Sequence, residues 1–582
     1  IPKWKALAVL SSDALSSVAY ATEEILIPLS LFAMGAVAWS LPIALAVVAL
    51  LIIITLSYQQ TIDAYPNGGG AYTVAKENLG RNAGLIAGAS LLIDYTLTVA
   101  VSVASGVENF TSAFPLLAEH KVLIGAVVIL FIMMMNLRGV KESASIFALP
   151  TYFFVISIIV LIVVGTAKVV MGIEVPKAPL IHEVYPEIPI FLLLRAFSSG
   201  CAALTGIEAI SNGIPIFRAP AQRNAKITMI WMSTLLGIMF MGITLLAHIF
   251  GIVPHEGQTA VSLLSETVFG QSVMYYFVQI STALILILAA NTSYADFPRL
   301  SSLLARDGFL PRQLASLGDR LVFSNGIIGL SLAALILLVL FGGSTHHLIP
   351  LYAVGVFLSF TLSQLGMVKH HLKLKEKGWV TALIFNAIGA VTTLVILLVI
   401  AATKFASGAW IVLILIPSMV WLFLQIKKHY LYVAQKLGRI SGDHSREVKP
   451  SDHVAILPVA GLHPGVINAL QYARSISSDV RSCCVEFDKE LTCKLKNQWT
   501  ESFPQLTLTV LPSPYRSVIT PVIDYIDQVM AEKDVQTVTV IIPEFVTKKW
   551  YHQFLHNQTA FVLRAYLWLK PGVVVTSIRY HI

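Results

Sequence analysis

The chain has 582 residues, of which 56% are hydrophobic and only 12% charged, about half the charged share of a typical soluble domain, roughly 25%. That balance excludes a soluble globular enzyme over most of the length and marks a polytopic α-helical membrane protein. The net charge of +8 is spread over short loops, which argues against a nucleic-acid surface. Four cysteines, Cys201, Cys483, Cys484 and Cys493, show no pairing pattern and read as reduced thiols on the inner side.

The first apolar run, Leu7 to Met34, is long and lacks a small-residue processing site, so it is expected to remain as the first membrane helix. It also carries Asp13, Tyr20, Glu23 and Glu24 among serines. Acidic groups near a bilayer midplane cost about 2.5–3.5 kcal/mol each on insertion scales and usually mark ion or proton paths. Because roughly 20 apolar residues cross about 30 Å of hydrocarbon, twelve spans are predicted. They lie near 7–32, 37–57, 82–107, 121–137, 146–172, 188–214, 227–250, 273–295, 324–342, 348–368, 379–402 and 405–426. With the N-terminus inside, the inner loops hold seventeen Lys and Arg residues, from Lys3 to Lys377, and the outer ones four, Lys121, Lys168, Lys177 and Lys404. The asymmetry predicts a multi-pass protein with both termini cytoplasmic.

After Lys427 the pattern changes. Residues 1–428 are read as the membrane domain, 429–450 as a basic, polar linker and 451–582 as a soluble domain. In the last, strands are predicted at His453–Gly461, Val480–Asp488, Leu506–Leu511, Thr537–Ile542 and Val573–Ile578, with helices at Pro464–Ser477 and Ile519–Ala531. Strands alternating with helices point to a parallel α/β sheet.

Two spans carry small and polar residues where a lipid-facing helix would carry leucine: Asp13-Ala14-Leu15-Ser16-Ser17-Val18 and Ala202-Ala203-Leu204-Thr205-Gly206-Ile207-Glu208. They lie five helices apart, an odd number, so the two halves have opposite topology. This is the pattern of inverted repeats with discontinuous helices at the binding site, where unwinding frees carbonyls for an ion. Asp13 and Tyr20 are seven apart, Asp94, Thr98 and Ser102 share one helix face, Thr205 and Glu208 are three apart, and Tyr352 opens the tenth span. All these donors are oxygens, which suit a hard cation. Many neutral hydroxyls beside few charges favour a monovalent ion, potassium more readily than sodium. Three buried carboxylates exceed the charge of one such ion, so one of them is expected to carry a proton, with Glu208 the titrating group and Asp13 and Asp94 the ligands. Arg195 is expected to pair with a carboxylate such as Glu108, and His346-His347 to be a solvated outer pair. No nucleophile with a neighbouring base and no metal-ligand cluster is visible, so no enzyme is predicted. No cofactor is predicted either, and potassium enters as cargo.

Pro66-Asn67-Gly68-Gly69-Gly70-Ala71-Tyr72 resembles the loop motif after helix two in the amino acid-polyamine-cation superfamily. Ser12 to Tyr20 is similar to the first-helix motif of the KUP-type potassium transporters, with Leu15 and Val18 where plant and enterobacterial members carry Gly and Pro. Over essentially the whole chain the resemblance is to the KimA-type bacterial potassium importers. It implies twelve transmembrane helices with a 5+5 inverted repeat (leucine-transporter-like fold) and a C-terminal cytoplasmic universal-stress-protein-like α/β domain. It further implies proton-coupled, high-affinity potassium uptake across the plasma membrane by alternating access. Ion contacts fall on Asp13, Tyr20, Asp94, Thr98, Ser102, Thr205, Glu208 and Tyr352. It also implies a homodimer joined through the C-terminal domains and inhibition by cyclic di-AMP. The glycine-rich ATP loop of the stress proteins is not recognisable. For the dinucleotide, Tyr515, Arg516 and Ser517 beyond a predicted strand, and Arg312 on an inner loop, offer a stacking ring, cations and a hydroxyl. The alternative is a proton-coupled amino acid permease of the same fold, against which Asp13 counts, because a carboxylate there repels the carboxylate of an amino acid.

Overall fold

A computed structural model describes the chain apart from residues 67, 69, 139–143, 173–187, 255–257, 316–322, 376–377, 438–452, 514–517, 533–534, 536, 547–557 and 582. The chain forms two compact units, Ile1–Ile440 and Ser441–Ile582.

The first unit is helical. Its order is α1 (Lys3–Leu10), α2 (Ser12–Ser16), α3 (Val18–Phe32), α4 (Ser40–Ala64), α5 (Ala71–Asn78), α6 (Arg81–Ala113), α7 (Lys121–Leu137), α8 (Ala144–Val170) and α9 (Ile190–Gly200). There follow α10 (Ala209–Asn212), α11 (Ala221–Phe250), α12 (Ala260–Phe269), α13 (Val273–Arg306), α14 (Ser324–Leu340), α15 (Thr345–Leu374), α16 (Trp379–Thr403) and α17 (Trp410–Leu437). Among the described residues ten helical segments are long and apolar enough to cross a membrane. The first predicted span is instead three short helices, α1 to α3, and α14 has 17 residues. Helix α17 runs on to Leu437, so residues 429–437, expected to open the linker, are helical.

Burial sorts these helices. Helix α6 is buried along almost its whole apolar length, as is α15, whereas α7 and α17 turn most of theirs outward. Helix α6 packs against α13, α15 and α5, and α2 packs against α13. The enclosed helices are the ones that carry small and hydroxyl residues, which let backbones approach closely.

The second unit is a five-stranded, wholly parallel sheet in the order β3-β2-β1-β4-β5. Its elements are β1 (His453–Pro458), α18 (Pro464–Ile476), β2 (Asp479–Glu486), α19 (Lys489–Ser502), β3 (Leu508–Pro512), α20 (Ile519–Met530), β4 (Thr537–Val546), α21 (Gln558–Trp568) and β5 (Val573–His581). Strand β1 is central, with Val454 opposite Asp479 of β2 and Val538 of β4. Its side chains alternate between two cores. Val454 and Ile456 join Val522 and Ile526 of α20 and Leu563 of α21, while Ala455 and Leu457 join Val466 and Leu470 of α18 and Trp499 of α19. A strand buried on both faces must be apolar where it is buried, and Val454, Ala455, Ile456 and Leu457 are.

Candidate functional site

Two interruptions meet inside the helical unit, and they differ in kind. In the first segment the joints at Ser11 and Ser17 keep helix-like dihedrals. Serine hydroxyls bond back onto the chain, Ser16 Oγ donating to the Asp13 carbonyl at 2.8 Å and Ser17 Oγ to that of Ala14 at 2.6 Å, the local competition that loosens helices. The second break is complete. Helix α9 stops at Gly200, a 3-10 turn covers Cys201–Leu204, Thr205 is extended (ψ 151°) and Gly206 is left-handed (φ +76°). Only glycine tolerates this place. A Cβ on Gly206 would lie 2.6 Å from Asp13 Oδ2 and 2.9 Å from the Ala14 nitrogen. Ser17 Oγ also donates to the Ala203 carbonyl at 3.1 Å, joining the two breaks. Carbonyls near both breaks thus each already accept one hydroxyl, Ala202 taking that of Thr205 at 3.0 Å, so fewer are free for a ligand than the unwinding alone predicts.

Around this junction Asp13, Tyr20, Asp94, Thr98, Thr205, Glu208 and Tyr352 come together, while Ser102 is buried on α6. Asp13, Asp94 and Glu208 are 8%, 2% and 5% exposed, and Tyr20, Thr98, Ser102, Thr205 and Tyr352 are equally enclosed. The three carboxylates lie within electrostatic reach of one another, and the Tyr20 and Tyr352 hydroxyls both reach Thr205. Thr98 Oγ1 donates to the Tyr352 hydroxyl at 3.1 Å, tying α6 to α15. Gly355 lets α15 approach α6 closely, since a Cβ there would stand 3.2 Å from the Ser90 carbonyl oxygen. Asp13 Oδ1, Asp94 Oδ1 and Glu208 Oε2 are buried without a protein hydrogen-bond partner. Such oxygens in a low-dielectric interior call for a cation or a proton.

Sequence reasoning missed Asp296. It acts electrostatically on Asp13, Asp94 and Glu208 alike, yet it stands one residue beyond the predicted end of the eighth span. Helix α13 runs eleven residues past that end, to Arg306. Two other expectations are corrected. Glu108 accepts from the Thr345 backbone N–H at 3.2 Å rather than pairing with Arg195, because α15 begins beside it. His346 is not merely solvated: its Nδ1 meets buried Glu24 Oε1 at 3.0 Å.

The Arg312 guanidinium stacks on the Tyr430 ring of α17, 4.9 Å from its centroid, and the Arg312 backbone N–H donates to the Tyr430 hydroxyl at 3.1 Å. Tyr515, Arg516 and Ser517 lie outside the described residues. The second unit has a crevice of about 760 Å³ at the carboxyl ends of β1, β2 and β4, lined by Pro458, His463, Cys484, Asp488 and Pro543 among others. It lies where strand order reverses between β1 and β4, the usual ligand position in such sheets. Burial holds the His463 imidazole below its ordinary value and pushes the Cys483 thiol up to about 12.

Apolar helices broken at mid-course around enclosed carboxylates define a membrane permease, and the amino acid permease family model matches residues 2–421. The model of the KimA potassium transporter C-terminal domain matches residues 451–580. The chain is 48% identical to the potassium transporter KimA of Bacillus subtilis (strain 168), an alignment covering 100% of this chain and 96% of that protein. The chain belongs to the KimA family of potassium transporters. The low-affinity putrescine importer PlaP of Escherichia coli (strain K12) is 27% identical over 177 residues, 29% of this chain and 38% of its own. A crystal structure of the Eremococcus coleocola manganese transporter covers 74% of this chain and 96% of its own at 14% identity, with a TM-score of 0.39.

Proposed function

We propose that the chain imports potassium with protons across a bacterial plasma membrane by alternating access, using a twelve-span bundle with a 5+5 inverted repeat and both termini in the cytoplasm. One observation carries this reading: carboxylate oxygens of Asp13, Asp94 and Glu208, from three separate stretches of chain, are enclosed together without protein partners. The ion exchanges water for these carboxylates and for hydroxyls of Tyr20, Thr98, Ser102, Thr205 and Tyr352. A monovalent ion balances one negative charge, so a proton on Glu208 compensates another, and its arrival and departure couple the two fluxes.

The printed name of the 48% identical relative supports potassium as cargo. The second reading, a proton-coupled amino acid permease, draws on the description of the matching permease model. Asp13 beside Gly206 opposes it, since a substrate carboxylate would meet a fixed one. We further propose that the C-terminal unit is a universal-stress-protein-like regulatory domain. It forms the homodimer contact and takes cyclic di-AMP in the crevice at the strand ends, which inhibits uptake.

The test is growth of a potassium-uptake-deficient bacterium at micromolar potassium. Wild type should restore growth and Asp13→Asn should not; rescue by the variant would refute the ligand role. In liposomes, uptake should rise with an inward proton gradient and lose that response in Glu208→Gln, and excess amino acids should not compete. Cyclic di-AMP titrated onto the full chain should slow uptake.

A further inference from the structure

Asp296 and its surroundings go beyond the central carboxylates. Its charge reaches Asp13, Asp94 and Glu208, and it also lines a separate cleft of about 70 Å³ with Tyr95, Asn212, Arg299 and the backbone of Gly68 and Gly70. On this measure a cavity of about 10–15 Å³ already holds one water, so the cleft has room for a water-sized alkali cation. The lining donors are a carboxylate, an amide oxygen and a phenol, again all hard oxygens. Asn212 Oδ1 is buried without a hydrogen-bond partner, while the amide nitrogen faces the Tyr95 hydroxyl at 3.5 Å.

The glycine motif after α4 closes this cleft. A Cβ on Gly68 would stand 2.8 Å from the Asn212 carbonyl oxygen and one on Gly70 3.2 Å from Asn212 Oδ1, so these glycines let the loop lie directly on the end of α10. At the exposed edge stands Arg299. It is three residues, about one turn, beyond Asp296 on α13, its charge acts on Asp296, and its Nη1 donates to the Asn212 carbonyl at 3.4 Å. A carboxylate continuous with the central field, an unpartnered amide oxygen and a loosely held cation thus occupy one small space.

We infer that Asp296, Asn212 and Tyr95 form a second alkali-cation site, through which the ion leaves the central carboxylates, and that the Arg299 guanidinium competes with the ion for Asp296. The inference rests on the potassium-transport reading and extends it. Two cations of like charge cannot share Asp296 without repulsion. The return of Arg299 therefore expels the ion and restores the electrical balance of the empty site.

The test uses the full chain in liposomes, with potassium half-saturation measured from each face, by uptake outside and by counterflow inside. Asp296→Asn should raise the inside half-saturation by about tenfold, the consequence of losing one charge-assisted contact, and raise it by more than the outside value, which the lost charge reaches only through the central carboxylates. Arg299→Gln should shift the inside value in the opposite direction, downward, and Asp296→Glu should restore most of the wild-type value. Opposite shifts cannot arise from a shared packing defect. The inference is overturned if both variants match wild type or if both shift the same way. Should Asp296→Asn fail to fold, Arg299→Gln at its exposed position decides: an unchanged inside value overturns it. Wild type that carries no potassium would instead overturn the transport reading itself.

Discussion

Gly206→Ala bears most directly on how the two broken segments meet. The left-handed conformation at Gly206 (φ +76°) costs an L-residue roughly 1–2 kcal/mol. The new methyl would also lie 2.6 Å from Asp13 Oδ2, 2.8 Å from its Cγ and 2.9 Å from the Ala14 nitrogen. One of these neighbours is backbone, so relief requires the segments to separate, and such overpacking typically costs about 1–3 kcal/mol. Together the penalty is about 2–5 kcal/mol against this packed arrangement, or more than tenfold in its population. Potassium uptake in a deficient strain, normalised to membrane expression, should therefore fall at least about tenfold, and the thermal midpoint of the purified protein should drop. Gly329→Ala is the control, because no atom lies within 4 Å of a Cβ there and the change should stay within about 0.5 kcal/mol of neutral. Wild-type uptake and melting in Gly206→Ala would refute the contact between the breaks.

Other outcomes follow from the same geometry. Ser17→Ala removes the hydroxyl that bonds both Ala14 and Ala203 carbonyls; it should lower stability by about 1–3 kcal/mol for the polar groups left unpaired and slow uptake, read from melting and tracer flux. His346→Ala strips a partner from Glu24, which is 3% exposed; it should impair uptake more than the neighbouring His347→Ala, measured side by side. In the C-terminal unit, hydrogen bonds from Arg481 at 2.6 and 2.9 Å hold the Glu532 carboxyl below its ordinary 4.5. Its folded value lies under its unfolded one, so the contribution is present above about pH 4.5 and lost as pH falls through the folded value. The protection of β2 amides in the full chain, corrected for the intrinsic slowing of exchange in acid, should fall on acidification across that window, and Arg481→Gln should flatten the response. Trp499→Ala should cost about 3–5 kcal/mol and loosen α19, whose other described side chains are not buried, as seen by protease cleavage there.

Composition alone marked the membrane unit, because a 20-residue apolar run has few other stable environments. The parallel α/β character of the second unit was legible in apolar strands such as β1, which need no knowledge of their neighbours to be recognised. Helix α19 was not, since its apolar stripe of Leu491, Leu495 and Trp499 is short, set among charged and polar residues, and buries only Trp499. Asp13, Asp94, Thr98 and Glu208 were visible as polar residues in apolar surroundings, and periodicity placed those on α6 on one face. Which of them lie near one another was decided by tertiary packing. Distance between segments is set by where glycines permit contact, as Gly206 does against Asp13, and no local pattern encodes that. Asp296 escaped because hydropathy ends a span where apolar residues end, whereas α13 continues for its own packing. His346 likewise looked like loop until α15 began beside Glu24. One-dimensional patterns report what solvent each residue prefers; only the folded chain determines which residue supplies that solvent's place.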